Sequence, residues 1–301
     1  SPWSAPTVAT FVVATPPLVI TEIMYHPERA ASGTNDAGDF EFIELKNSGT
    51  QPLSLPGIRF TRGIQFTFTS TNPITQLGAG QYVVLVRNRA AFQARYPGVT
   101  NIAGEYAGSL DNGGEHLVLE GALGEPILDF EFKDSWQPVT DGYGFSLVIR
   151  DESGPLAGWT NAGSWRASTE RGGSPGRGDP APQFIPPVVI NEVLTHTDLP
   201  ELDTIELFNP TAAPAPVGGW FLTDERDEPR KYVIPAGTTI PAGGFLLFTE
   251  AAYNAGSPNS FALSSLGEEV YLFSGDGTNL TGYRHGFEFG AQTNGVTFGR
   301  H

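Results

Sequence analysis

A set of short motifs occurs twice in this chain, in the same order, so whatever fold is assigned must be one that can be built twice. "VITEIMYHP" at 19–27 aligns with "VINEVLTHT" at 189–197, an offset of 170. "FEFIELKNSG" at 40–49 matches "LDTIELFNPT" at 202–211, offset 162, and "LGAGQYVVLVRNRAAF" from 77 matches "IPAGGFLLFTEAAY" from 240, offset 163. "GSLDNGGEHLVL" at 108–119 pairs with "FALSSLGEEVYL" at 261–272, offset 153, and "DGYGFSLVIR" with "QTNGVTFGR" at about 151. The offsets fall overall, from 170 to about 151, while the order is kept, as they do when the loops of a duplicated domain shorten.

Each motif reads as strand. "FIEL" and "TIEL" alternate, "YVVLV" and "FLLF" are continuous apolar runs, and "HLVLE" and "VYLF" lie between Gly-rich turns such as "DNGG" and "SGDG". Turns recurring every 8–12 residues, in a chain with 37 Gly and 25 Pro, predict an all-β fold of two sandwiches. One short helix is expected in each, after Asn88 ("NRAAFQARY") and after Thr249 ("TEAAYNA"), since Asn and Thr are good N-caps and the Ala-rich stretch favours a helix. Residues 17–176 form the first domain and 188–301 the second. Between the repeats the chain is Gly/Pro-rich from 169 to 187, and 177–187 reads as the linker. Residues 1–16, with the alternating "WSAPTVATFVV" and a Pro-Pro break, read as the end of a preceding module or a linker, and the whole as a segment of a larger polypeptide.

With 33 Asp+Glu against 17 Lys+Arg, the net charge of −16 repels a phosphate backbone and an anionic bilayer alike. Nucleic acid is therefore not an expected partner. Nor is direct membrane insertion, because no apolar run approaches the roughly 20 residues a spanning helix needs. Cysteine is absent, which excludes disulfides, thiolate metal sites and a cysteine nucleophile; there is no G-x-S-x-G either.

The ordered motifs resemble the lamin tail domain, an immunoglobulin-like β-sandwich found in nuclear lamins and in bacterial secreted and surface proteins. They are the "I-T/N-E-I/V" strand, "(F/T)IEL-x-N", the A-G turn into "YVVLV" or "FLLF", the turn ending in G-E, and in the first copy "DGYGFSL", a Trp and "GGSPG". The second copy stops before any equivalent of "GGSPG", so its last segment is missing or lies downstream. The resemblance implies an interaction module and no catalytic activity.

Glu22, Glu44 and Asn47, with Glu192, Glu206 and Asn209, are the polar residues kept in both copies. Two carboxylates on neighbouring strands are the raw material of a glycosidase acid/base pair. Structural duty is the stronger reading, because a buried carboxylate must be paired or hydrogen-bonded and both copies keep it. His26 and His196 recur without partners at zinc-ligand spacing. Loops with Asp36, Asp39 and Glu41, and with Asp111, Asn112 and Glu115, carry hard oxygen ligands of the kind calcium takes, though the same residues are ordinary turn formers. "TDERDE" at 223–228 and "SGDGTN" at 274–279 are similar. No other cofactor is expected. Trp136, Trp159 and Trp165 either close the first core or form a sugar platform, with closure favoured. Arg177-Gly178-Asp179 reads as a chance match to an integrin ligand.

These readings converge on a non-catalytic structural or interaction module of an extracellular or cell-surface bacterial protein, acting in assembly or adhesion through protein partners or self-association. The alternative is an accessory polysaccharide- or ligand-binding module attached to a secreted hydrolase.

Overall fold

A computed structural model of the chain describes residues 15–29 and 35–299. The stretch 1–14, expected to end a preceding module, lies outside the described residues. Two compact units emerge. The first takes the described residues up to Trp136, with Leu147–Arg166 and Ser174–Gly178; the second takes Gln137–Ser146, Ala167–Gly173 and the chain from Asp179 onward.

In the first unit the strands are β1 (Leu18–Met24), β2 (Phe42–Asn47), β3 (Leu53–Ser54), β4 (Arg59–Arg62), β5 (Phe66–Thr67), β6 (Gln76–Leu77) and β7 (Tyr82–Val86). Helix α1 (Arg89–Arg95) follows, then β8 (Ile102–Glu105), β9 (His116–Glu120), β10 (Pro126–Glu131), β11 (Leu147–Ile149) and β12 (Trp165–Ala167). They form a six-stranded sheet in the order β12-β11-β1-β2-β7-β8, a four-stranded sheet β10-β9-β4-β5, and the small pair β3-β6. Ile20, Ile43, Leu45 and Leu85 of the large sheet pack with Phe60, Leu117, Leu119, Phe130, Trp159 and Trp165 in one core. The opposite face of the same sheet is also covered: Met24, Phe42, Val84 and Val86 pack against Phe92 of α1 and Ile102 of β8. This burial on both faces is why "YVVLV" is apolar without alternation. As expected, Asn88 caps α1, its Oδ1 accepting from the Ala91 N–H at 3.1 Å.

The second unit repeats the plan with β13 (Val189–Leu194), β14 (Thr204–Phe208), β15 (Ala215–Pro216), β16 (Phe221–Thr223), β17 (Tyr232–Val233), β18 (Thr239–Ile240) and β19 (Phe245–Thr249). The four-residue helix α2 (Glu250–Tyr253), β20 (Gly267–Gly275), β21 (Leu280–Gly290) and β22 (Phe298–Gly299) complete it. Its sheets are β19-β14-β13-β22, β17-β16-β20-β21 and β15-β18. Strand for strand this is the first unit without counterparts of β8 and β12 among the described residues. The all-β, two-sandwich reading holds, and the short helix stands where expected in each copy.

The segment 137–146, which the repeat pattern places in the first copy, packs within the second unit: Val139, Tyr143 and Phe145 lie with Phe221, Tyr271, Phe273 and Leu280. The Tyr143 hydroxyl donates to the Arg226 carbonyl at 2.9 Å, and Asp141 pairs with the Arg226 guanidinium.

Trp159 is buried and donates from Nε1 to the Ile20 carbonyl at 2.8 Å, while Trp165 Nε1 donates to the Trp159 carbonyl at 3.0 Å. Trp136 is half-buried against the same core. These indoles therefore close the sandwich and present no sugar platform. Trp159→Ala should destabilise the first unit by about 3–5 kcal/mol, in the range of other buried-aromatic truncations. Urea unfolding of this variant against the parent checks it; an unchanged first transition would mean that the indole carries little of the core.

Candidate functional site

The paired glutamates are positioned by a β-bulge. β1 and β2 run in register from Ile20↔Leu45 to Glu22↔Glu44, so Thr21 is the extra residue and Glu22 stands directly opposite Glu44. β13 and β14 do the same, with Asn191 extra and Glu192 opposite Glu206. The extra residue serves the second glutamate of each pair: Thr21 Oγ1 donates to Glu44 Oε1 at 2.6 Å, and Asn191 Nδ2 to Glu206 Oε1 at 2.8 Å. The "T/N-E" dipeptide and the "I-E-L" tripeptide are thus two halves of one motif.

In the first unit the remaining oxygens hold the "GGSPG" turn. Glu22 Oε1 accepts from the Ser174 N–H at 2.9 Å and Oε2 from the Ser174 hydroxyl at 3.1 Å; Glu44 Oε2 accepts from the Gly176 N–H at 2.6 Å. Both glutamates are 1% exposed. Every carboxylate oxygen is engaged and none faces solvent, so the pair as arranged offers a substrate nothing. Burial first, and the Glu22 charge next, hold the Glu44 carboxyl well above the usual carboxylate range. In the second unit Glu192 and Glu206 are only half-buried.

Asn47 and Asn209 tie down the loop after their strand. Asn47 Nδ2 donates to the carbonyls of Gln51 and Leu77 at 2.8 and 2.9 Å, and its Oδ1 accepts from the Gly49 N–H at 2.9 Å. Asn209 Nδ2 donates to Ala213, Ile240 and Pro241 carbonyls, and its Oδ1 accepts from the Thr211 N–H and hydroxyl.

The acidic loops of the first unit partly converge. Glu41, Asp111 and Asn112 line one polar cavity of about 450 Å³ with His26, Gly38 and Arg87. Glu41 is buried and faces Arg87: its Oε1 accepts from Arg87 Nη1 at 2.8 Å, its Oε2 from the Tyr106 hydroxyl at 3.0 Å and the Leu110 N–H at 2.8 Å. A Cβ at Gly38 would collide with Arg87 Nη1, so only glycine lets the guanidinium lie there. Burial raises the Glu41 carboxyl from its ordinary value against the opposing pull of these donors. Asp39 accepts from the Asp36 N–H at 3.1 Å and from Asn88 Nδ2 at 3.3 Å, Asp111 Oδ1 from the Gly113 N–H, and Glu115 Oε1 from the His116 N–H. These are turn and cap bonds. Among the described residues no group of three or more His, Cys, Asp or Glu is arranged to hold a metal ion.

His116 pairs with Asp129 at 2.6 Å, His196 Nδ1 lies 3.0 Å from the Gln292 carbonyl, and His285 Nδ1 accepts from the Ile190 N–H at 3.1 Å. Asp179 is half-buried, its Oδ2 accepting from the Thr169 N–H at 2.9 Å, whereas Arg177 is exposed. Sequence reasoning missed Arg87, Tyr106, Ser174 and Gly176. All are remote in sequence from the carboxylates they serve; the one usable signal is the "GGSPG" turn, whose backbone N–H groups suit an anion.

The lamin tail domain family model matches residues 12–133 and 182–286. Among solved structures, a crystallised DUF4876 family protein from Bacteroides thetaiotaomicron is similar at 13% identity and a TM-score of 0.33, over 56% of this chain and 73% of that one. No curated protein matches the chain.

A carboxyl whose folded-state pKa is raised contributes stability that is complete below its unfolded value and is lost as pH rises through the folded one. The first unit should therefore lose stability above about pH 4.5, the ordinary glutamate value, with a slope of at most about 1.4 kcal/mol per pH unit from Glu44. Glu44→Gln, which stays neutral, should flatten that decline. Melting temperatures of parent and variant across pH 4 to 8 check it, and parallel curves would refute it.

Proposed function

Because the chain belongs to the lamin tail domain family, whose immunoglobulin-like modules are generally non-catalytic, we propose that it is an interaction module of an extracellular or cell-surface bacterial protein and acts in assembly or adhesion. The observation that carries this reading is the open edge of the second unit. In the first unit β8 pairs in parallel with β7, and α1 lies over the same face. In the second unit no strand pairs with the outer side of β19 among the described residues, and α2 is a single turn. The run "FLLF" is as apolar as "YVVLV", yet Phe245 is 54% and Leu247 53% exposed. Phe245 stacks on Phe208 at 4.7 Å, which keeps an apolar surface beside the free backbone groups.

An apolar, unpaired edge is a template for strand addition, and native proteins usually blunt such edges with charge, proline or a covering element. β19 carries none of the first two, and its sister strand carries the third. The partner supported by this edge is an extended strand with an apolar residue in the place that Ile102 takes in the first unit, and a second copy of the chain is the first candidate. A second reading is favoured by the polar cavity at Arg87 and Asp111, whose mixed donors and acceptors suit a small polar ligand such as a saccharide unit.

Light scattering over a concentration series tests the assembly reading. The expected outcome is a mass that grows with concentration and falls to one chain in Phe245→Asp/Leu247→Asp. A single-chain mass in both proteins would remove self-association; a glycan screen on Arg87→Ala against the parent would then decide for or against the ligand reading.

A further inference from the structure

The sheet face that carries the glutamate pair has the same registers in both units and a different cover. Glu44 stands opposite Val84 and Lys46 opposite Tyr82; in the second unit Glu206 stands opposite Leu247 and Phe208 opposite Phe245. With Glu22↔Glu44 and Glu192↔Glu206, three strands of each sheet correspond position by position. In the first unit one turn lies over these positions. The N–H groups of Ser174 and Gly176 and the Ser174 hydroxyl donate to the two carboxylates, and Asn101 Nδ2 donates to the Gly176 carbonyl. Gly178 follows so close to Tyr82 that a Cβ there would stand 2.8 Å from the phenol oxygen.

Among the described residues of the second unit no turn does this. Glu206 Oε1 accepts from Asn191 Nδ2 as Glu44 Oε1 accepts from Thr21, but no backbone N–H donates to the Glu192 or Glu206 carboxylate. The neighbouring positions have changed from polar to apolar. Lys46 and Tyr82, which both donate to Glu152 in the first unit, correspond to the stacked rings of Phe208 and Phe245, and the buried Val84 corresponds to the exposed Leu247. Two facing acceptors beside an apolar shelf thus stand open, and the first unit shows what fits such a pair: N–H groups two residues apart, which a turn leaves unspent and a carboxylate binds with charge assistance. The chain's own turn is already committed to Glu22 and Glu44, so a second copy has none to offer.

We propose that this face of the second unit binds a Gly-Ser-Pro-Gly-type turn of another polypeptide, whose N–H groups meet Glu192 and Glu206 and whose following residues lie on Phe208 and Phe245. The inference rests on the reading of the chain as an interaction module and names a partner class for it. It uses the face of the sheet, whereas self-association would use the β19 edge.

The probe is the end-blocked peptide of residues 172–178, Gly-Gly-Ser-Pro-Gly-Arg-Gly, titrated into the isotope-labelled whole chain and followed by amide chemical shifts. Saturable shifts are expected at Phe208, Phe245 and Leu247 and none around Ser174, whose place is filled. Glu192→Gln/Glu206→Gln, at half-buried positions that the fold can spare, should weaken binding at least about tenfold, the worth of one bond to a charged acceptor. A peptide with Ser174→Pro and Gly176→Pro keeps its arginine but lacks both N–H groups, and should not bind. The same peptide fused behind His301 through a Gly/Ser linker reaches an effective concentration on the order of millimolar, and should raise the melting temperature of the second unit. No response in either format would overturn the proposal, as would undiminished binding of the proline peptide, which would assign the attraction to the arginine charge. The two readings part in the result: a single-chain mass with saturable shifts refutes self-association and upholds the turn site, and a growing mass without shifts does the reverse.

Discussion

Two glutamates placed face to face on neighbouring strands are the constraint on which the first unit depends. Burying a carboxylate without partners costs several kcal/mol, and burying two beside each other costs more. The fold meets this with donors drawn from three places: the bulge residue Thr21, the hydroxyl of Ser174, and the N–H groups of Ser174 and Gly176. The last two lie about 130 to 150 residues from the carboxylates, so satisfying the pair fixes a long-range connection. Asn101 secures the same turn from its other side, donating to the Gly176 carbonyl at 3.1 Å. A pair that would suit acid/base chemistry in an open cleft is here consumed in fastening one turn to a sheet.

The second unit keeps the pair and the bulge but leaves both glutamates only partly buried, and its differences follow a single theme. Each structural cover of the outer sheet face in the first unit is absent among the described residues of the second: the parallel strand, the longer helix and the donor turn. Where a cover is absent, side chains that would be buried are left with surface or charge to satisfy. Phe245 and Leu247 express this as exposed apolar area. The two copies act as internal controls for each other, because identical registers make each missing contact visible against the one that exists.

Much of the fold was legible in the residues. Collinear repeats, alternation and turn chemistry led to two sandwiches; the Asn88 cap and the Ala-rich turn located both helices. The "T/N-E" and "I-E-L" motifs were legible as structural, since duplication favours duty in the fold. Their mutual contact was not, because facing residues on paired strands carry no signal beyond register, and a bulge shifts that register by one. The segment 137–146 was unreadable for another reason: Val139, Tyr143 and Phe145 are apolar residues that would suit either core, and only packing assigns them to the second. By composition the acidic loops suit calcium ligation and ordinary turn chemistry alike. Their geometry spends Asp39, Asp111 and Glu115 on neighbouring backbone and side-chain donors, while Glu41 meets an arginine 46 residues away.

That arginine shows how one substitution redirects a duplicated scaffold. The strand-to-helix junction keeps the same backbone bond in both copies, from the Arg87 N–H to the Glu41 carbonyl and from the Glu250 N–H to the Asp203 carbonyl. With arginine, the junction is self-contained and the neighbouring cavity keeps a fixed positive wall. With glutamate, the backbone bond survives and the side chain accepts instead from Asn254 Nδ2 at 2.9 Å. The fold tolerates the exchange because the sheet registers and the Asn209 clamp are set elsewhere.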